Sequence, residues 1–279
     1  MRPCFNPLRL ALRCWRAYHQ RINFHNYVIG GRFLVRTTLP AGVFAVNARS
    51  ALAQIAFAGT YEPKLIRLIN RFELKPGVIV NIGANIGLLA VHLARTFPDR
   101  RVLAVEPNPE VLPLLYENLQ RNNVANRVTV IEACVSDHAG QVELSIIHDR
   151  PEYSSIGGIV PRYAQGEQQH AIQVPAMTLA ALLGSQVPAL VVMDVEGAEA
   201  KVLKGGRTVL EQYNPTCVAE CSDTLLSKFG DSSGEVIASL RQCGYEVLDA
   251  ERTHRKPKPP FNGTVFAFAR GRCPLREGH

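Results

Sequence analysis

No acidic residue occurs among the first 61 residues of this 279-residue chain, although eight arginines do. The whole chain holds 31 Lys and Arg against 24 Asp and Glu, leaving 23 basic and 24 acidic side chains for the rest. The positive excess therefore belongs to the N-terminal segment. A body without its own basic excess argues against nucleic acid as partner, because phosphate backbones are bound mainly through charge. There is no run of eighteen apolar residues, so no membrane-spanning helix is expected. Cysteines are few, odd in number and scattered, at Cys4, Cys14, Cys134, Cys217, Cys221, Cys243 and Cys273. They offer no four-ligand zinc spacing, and no metal site is expected. Reduced, mostly buried thiols of a cytoplasmic protein are the expectation. Both common phosphate-binding glycine patterns, G-x-x-x-x-G-K-[ST] and G-x-G-x-x-G, are missing.

What the chain does have is a β-branched run, Val78-Ile-Val-Asn-Ile82, followed by the turn Gly83-Ala84-Asn85-Ile86-Gly87. Leu89, Leu93, Ala94 and Phe97 then recur at helical spacing. Strand, glycine turn and helix together open a nucleotide-binding α/β domain. Glycine at such a turn lets the backbone bend sharply and approach a bound cofactor. A second strand over residues 101–105 ends on Glu106, in the place where such folds bind ribose hydroxyls. A carboxylate has acceptor oxygens for both hydroxyls, so an adenosine-containing cofactor is expected. Asn85 puts a side chain where a pyrophosphate would press in, which favours adenosine without phosphates.

Three further stretches carry chemistry. A third strand over residues 128–134 runs into Ser136 and Asp137, where Asp137 either accepts from an adenine amino group or serves a turn before Gly140. Residues 148–171 form a long polar stretch holding Tyr153, Ser154, Ser155, Tyr163 and His170, suited to contact with a substrate. A buried strand over residues 189–193 leads into Asp194-Val-Glu-Gly-Ala-Glu199. Three carboxylates in six residues at the carboxyl edge of such a strand face the place where α/β folds bind ligands. If the strand continues, Asp194 and Glu196 point to the same side. Glu199 opens the next helix and is explained by its N-terminal dipole. A strand over residues 216–220 ends in Glu220, a second buried acid. Between two closing strands lies the basic, proline-rich loop 252–260, attractive to a phosphate-bearing acceptor.

The motifs Asn81-Ile-Gly-Ala-Asn-Ile-Gly87, Val105-Glu-Pro-Asn108 and Met193-Asp-Val-Glu-Gly-Ala-Glu199 resemble the FkbM-type family of S-adenosylmethionine-dependent methyltransferases. The resemblance runs from about residue 61 to residue 270. It implies a Rossmann-like class I methyltransferase, with a doubly wound, mostly parallel seven-stranded sheet and an N-terminal extension. Residues 1–60 would form that basic extension, residues 61–271 the catalytic domain, and residues 272–279 a tail. The implied cofactor is S-adenosylmethionine, held by Tyr61, Asn81, Gly83, Ala84, Asn85, Gly87, Glu106, Pro107, Asn108, Ser136, Asp137 and Asp194. Tyr61 would stack near the sulfonium. The implied reaction is O-methylation of a small molecule or sugar, with Asp194 and Glu196 as base and acceptor-positioning pair and Glu220 in reserve. One departure stands out: Asn81 occupies a position where the family usually has Asp. The acceptor oxygen is kept and the charge is lost.

Two other classes fit parts of the pattern. A nicotinamide-dependent oxidoreductase shares the fold but not Asn85 or the acid-rich motif. A non-catalytic module binding the cofactor or a membrane is suggested by Asn81 and the N-terminus. Residues 7–22 read as a basic amphipathic helix, which gives residues 1–25 either peripheral membrane contact, a targeting role or a solvated flank.

Overall fold

The computed structural model describes residues 27–29, 32–39, 42–47, 61–147, 151, 154–156 and 168–276. The helix expected over 7–22 lies outside them, as do the helical pattern over 51–58 and Tyr153, Gly157, Gly158 and Tyr163 of the polar stretch. The chain divides into two compact units, Met1–Tyr61 and Glu62–His279. In the first, β1 (Tyr27–Ile29), β2 (Arg32–Leu39) and β3 (Gly42–Asn47) form an antiparallel sheet. Ile29 pairs with Arg32 and Leu39 with Gly42, the registers of two tight hairpins.

The second unit is built on a seven-stranded sheet in the order β13–β14–β12–β11–β4–β5–β6. These strands are β4 (Val78–Ile82), β5 (Val102–Val105), β6 (Val128–Ile131), β11 (Pro188–Met193), β12 (Thr216–Ser222), β13 (Tyr245–Asp249) and β14 (Asn262–Ala269). Only β14 runs against its neighbours. The helices are α1 (Pro63–Ile69), α2 (Leu88–Thr96), α3 (Leu112–Arg121), α4 (Leu179–Leu183), α5 (Glu199–Tyr213), α6 (Asp223–Leu226) and α7 (Ser233–Gln242).

Alternation along each strand decides what it buries on either face. Val80, Ile82, Leu103, Val105, Val191, Met193, Cys217 and Ala219 join one core with side chains of α4, α5 and α7. On the other face Ile79, Val102, Leu190 and Phe266 are buried, and Phe72 stacks on Phe266 with ring centres 5.2 Å apart. Both faces being covered explains why β4, β5 and β11 are apolar almost throughout. Asn81 is the exception, and it lies on the second face. Strand order reverses between β4 and β11, which places the ligand crevice of an open α/β sheet there.

Several boundaries differ from expectation. The third strand stops at Ile131, because Ala133 turns back to donate to the Ile131 carbonyl; Cys134–Val135 then forms β7 in a second sheet. That sheet has the order β7–β10–β8–β9, with β8 (Gly140–Ile147), β9 (Ser155–Ile156) and β10 (Gln169–Met177). Part of the expected polar loop is therefore strand: Ser155 pairs with Ser145, and His170 with Ile146. Pro109 reads as the first turn of a helix over 109–122, but Pro113 occupies the first turn of α3. Residues 274–276, expected in a tail, run beside the end of α1, where Leu275 bridges Phe72.

Helix α5 carries two adjacent glycines for a packing reason. A β-carbon on Gly205 would stand 2.1 Å from the Ser136 carbonyl oxygen, and one on Gly206 2.9 Å from Leu179 Cδ2. In an exposed helix Gly→Ala stabilises by about 1 kcal/mol. Here Gly205→Ala is expected to do the reverse and lower the melting temperature by about 5 °C, measurable by calorimetry.

Candidate active site

The glycine turn and the tip of β5 form one hydrogen-bonded unit. Gly83 and Ala84 both donate to the Val105 carbonyl, at 3.0 and 2.9 Å. Asn85, at φ 51°, donates its N–H to Glu106 Oε2 at 2.8 Å, and the Asn108 N–H reaches Glu106 Oε1 at 2.9 Å. Each carboxylate oxygen keeps further acceptor capacity. Burial drives Glu106 up to about 7, against the lowering effect of these two N–H groups. Asn108 is fully buried and satisfied by protein: its Oδ1 accepts from Glu110 N and its Nδ2 donates to the Pro151 carbonyl at 2.7 Å. It therefore positions Glu106 and ties down the β8–β10 insertion. Pro107 is the half-buried link between Glu106 and Asn108. His170 Nε2, 3.2 Å from Glu110 Oε1, adds a second tie from that insertion.

The turn glycines serve the protein's own packing. Gly83 and Gly87 adopt φ 81° and 87°, which suits glycine. A β-carbon on Gly83 would lie 1.8 Å from the Asp194 carbonyl oxygen, and one on Gly87 2.6 Å from Leu115 Cδ1. The close approaches that this turn makes within the protein are to Asp194 and to α3. Asn118 fastens the same turn from α3, its Nδ2 donating to the Ile86 carbonyl at 2.8 Å. A buried Asn within the apolar stripe of a helix was the available sequence signal for it.

Asn81 is 1% exposed, and neither its Oδ1 nor its Nδ2 has a hydrogen-bond partner. An orphaned buried amide costs roughly 1–3 kcal/mol, so it marks a group waiting for something. We expect Asn81→Leu to raise the melting temperature of the cofactor-free protein while abolishing the shift that added cofactor produces. A destabilised variant that still responds to cofactor in thermal unfolding contradicts this role.

Across the crevice, Asp194 N donates to the Ile82 carbonyl at 3.0 Å, carrying the β11–β4 ladder one residue past Met193. The strand goes no further, so the condition under which Asp194 and Glu196 would share a side is not met. Glu196 sits at φ 54° and Gly197 at φ 103°, so the chain turns into α5. Glu199 closes that turn, its Oε1 accepting from Val195 N at 3.1 Å and Gly197 N at 3.4 Å, while its buried Oε2 has no hydrogen-bond partner. Burial, then Glu220 and Glu199, push Glu196 up to about 7 despite the nearby Lys228; burial likewise raises Glu199 to about 7.

Glu220 is brought to Asp194 by strand register. Met193 pairs with Ala219, so the residues that follow them stand side by side on one face. Glu220 is exposed, not buried as expected, because it emerges where β12 meets solvent at the carboxyl edge. Asp194 is also reached by solvent, yet protein crowds it. That crowding, followed by the charge of Glu220 and a hydrogen bond with it, raises the Asp194 carboxyl well above its ordinary range. A hydrogen bond between two carboxyls needs one to be protonated and donate. One residue escaped the sequence reading here: Glu62, at φ 37°, is raised by burial, then by Glu220 and Glu251. A glutamate in left-handed backbone is uncommon.

Ser136 and Asp137 follow β7: Asp137 Oδ2 is 2.7 Å from Lys204 Nζ and Oδ1 is 2.8 Å from His138 Nδ1. The hydrogen bond with Lys204, then that with His138, holds Asp137 well below the usual carboxylate range, and Lys204 fastens it to α5. Tyr61 is the last residue of the first unit. No group of three or more His, Cys, Asp or Glu suited to a metal ion occurs among the described residues. Among them, too, no helix is long and apolar enough to cross a membrane.

Comparison with known proteins bears on this arrangement. The 31-O-demethyl-FK506 methyltransferase FkbM of Streptomyces tacrolimicus is 28% identical over 253 residues, covering 81% of this chain and 92% of that protein. Methyltransferase sdnD of Sordaria araneosa is 26% identical over 190 residues, covering 54% and 72%. Among solved structures, a methyltransferase FkbM from Methylobacillus flagellatus KT aligns with a TM-score of 0.45 at 16% identity, over 94% of this chain and 60% of that one. A family model described as the methyltransferase FkbM domain matches residues 81–247, from Asn81 in β4 into β13. With more than half of its length matched by that model, the chain belongs to the FkbM methyltransferase family.

Proposed function

We propose that the protein transfers the methyl group of S-adenosylmethionine to a hydroxyl of a small molecule or sugar. The cofactor of this methyltransferase family is S-adenosylmethionine, which supplies an activated methyl group on a cationic sulfur. The residues present fit it. Asn81 offers an unpartnered donor and acceptor at the crevice, and Glu106 is held rigid with lone pairs to spare for ribose hydroxyls. Asp194 follows the strand whose Val192 pairs with Asn81, and its carboxylate is suited to the cofactor's cationic end.

The observation that carries the hydroxyl reading is the Asp194–Glu220 pair. An alcohol must lose its proton as the methyl group arrives, and a base with a raised pKa takes it more readily than an ordinary carboxylate. The acid pair is thus Asp194 and Glu220, with Glu196 shaping the turn behind them. The Streptomyces relative is itself named for a 31-O-demethylated substrate. The test is transfer of labelled methyl from S-adenosylmethionine to a panel of sugars, polyols and matched amines. Label in base-stable ether products supports the proposal; label confined to the amines rejects it.

A further inference from the structure

The loop joining β13 to β14 lies on the same edge of the sheet as Asp194 and Glu220. β13 is parallel to β11 and β12, so its last residue, Asp249, emerges at their carboxyl ends. Glu220 pairs with Thr264 and Asp249 with Val265, which puts the loop two strand spacings, roughly 10 Å, from Glu220. The loop's own acid, Glu251, is paired with Lys64 and faces Glu62. Beyond it come Arg252, His254, Arg255, Lys256 and Lys258, all exposed, and none of the four Arg and Lys enters an ion pair among the described residues.

This concentration of charge is held in place. Asp249 Oδ1 accepts from Glu251 N at 2.8 Å and Arg252 N at 3.2 Å, and Asp249 N donates to the Arg255 carbonyl at 2.9 Å. At the far end, Phe261 N donates to Asp223 Oδ2 and Ser233 Oγ, at 2.8 and 2.9 Å. Pro257 is buried, and Pro259 packs on Gly234. A loop fixed at both ends presents its cations with little ordering cost on binding. A cationic lip outside an acidic cluster suits a ligand with a hydroxyl at one end and an anion at the other.

We propose that residues 252–258 bind a phosphate group of the acceptor while its hydroxyl reaches the Asp194–Glu220 pair. This rests on the hydroxyl-acceptor reading, but phosphate binding can be measured without methyl transfer, so the two can fail separately. The phosphate belongs either to a soluble phosphate ester or to a lipid headgroup. The experiment is calorimetric titration of the full chain with inorganic pyrophosphate, beside sedimentation with phosphatidylglycerol and phosphatidylcholine vesicles. Arg255→Ala/Lys256→Ala/Lys258→Ala is compared with the charge-matched Arg101→Ala/Arg207→Ala/Arg241→Ala, and binding of S-adenosylhomocysteine shows that each variant is folded. The loop variant is expected to lose about tenfold or more in affinity for pyrophosphate or anionic vesicles, with the matched variant within about twofold of wild type. Loss against pyrophosphate alone assigns a soluble ester, and loss against vesicles alone a headgroup. Absence of both interactions in the wild type, or equal affinities for the two variants, overturns the proposal.

Discussion

Glu220→Gln is expected to lower the methyl-transfer rate about a hundredfold while leaving cofactor affinity within about threefold of wild type. An amide keeps the size and hydrogen-bonding shape of the carboxyl but cannot take a proton. Glu220 stands on β12, two strands from Asn81, so the cofactor groove is left intact. Asp194→Asn is expected to lose rate similarly and cofactor affinity as well, because Asp194 borders the crevice beside β4. Initial rates with a hydroxylated acceptor, alongside cofactor titration, separate the two variants. If both retain the wild-type rate, the carboxyl pair has no part in the chemistry.

The largest structural effect is expected at Gly83. Its φ of 81° strains any side chain, and the added β-carbon would lie 1.8 Å from the Asp194 carbonyl oxygen. The β-carbon is fixed to the backbone and the oxygen is main chain, just past the ends of two paired strands, so neither can give way without disturbing that pairing. Gly83→Ala should lower the melting temperature by more than about 10 °C, or prevent folding. Gly230 is the control: it is left-handed at φ 79°, but no atom lies within 4 Å of the added β-carbon. Gly230→Ala should cost only about 1 kcal/mol, the penalty of left-handed backbone. A similar small cost at both sites, measured by calorimetry, shows that the close approach to Asp194 can be relieved.

Much of this architecture was legible from local patterns. Val78-Ile-Val and Leu190-Val-Val read as buried strands because both of their faces are covered, and the Gly83 and Gly87 turn announced itself through residue type. The purpose of Gly83 was not legible, since the atom that excludes a side chain there comes from Asp194, over a hundred residues away. The pairing of Asp194 with Glu220 likewise follows from strand order and register, which single segments do not encode. β10 was missed because Gln169, His170 and Pro175 give it the composition of a loop; its pairing with β8 supplies the order that composition does not. Glu62 carried no signal at all, because its left-handed backbone is set by the folded chain around it.

The central claim is that the crevice between β4 and β11 binds S-adenosylmethionine. Calorimetric titration with the cofactor and its demethylated product, at pH 6 and pH 8, tests it directly. Burial holds Glu106 and Glu196 at about 7, and Asp194 is raised as well. At pH 6 Glu106 and Glu196 are largely protonated, and a cationic ligand must drive protons off the site to bind. Binding in the micromolar range is therefore predicted, tighter at pH 8 than at pH 6. Proton release near neutral pH should be visible as a heat that depends on the buffer's ionisation enthalpy. A folded protein that binds neither compound, or that binds more tightly at pH 6, contradicts this account of the site.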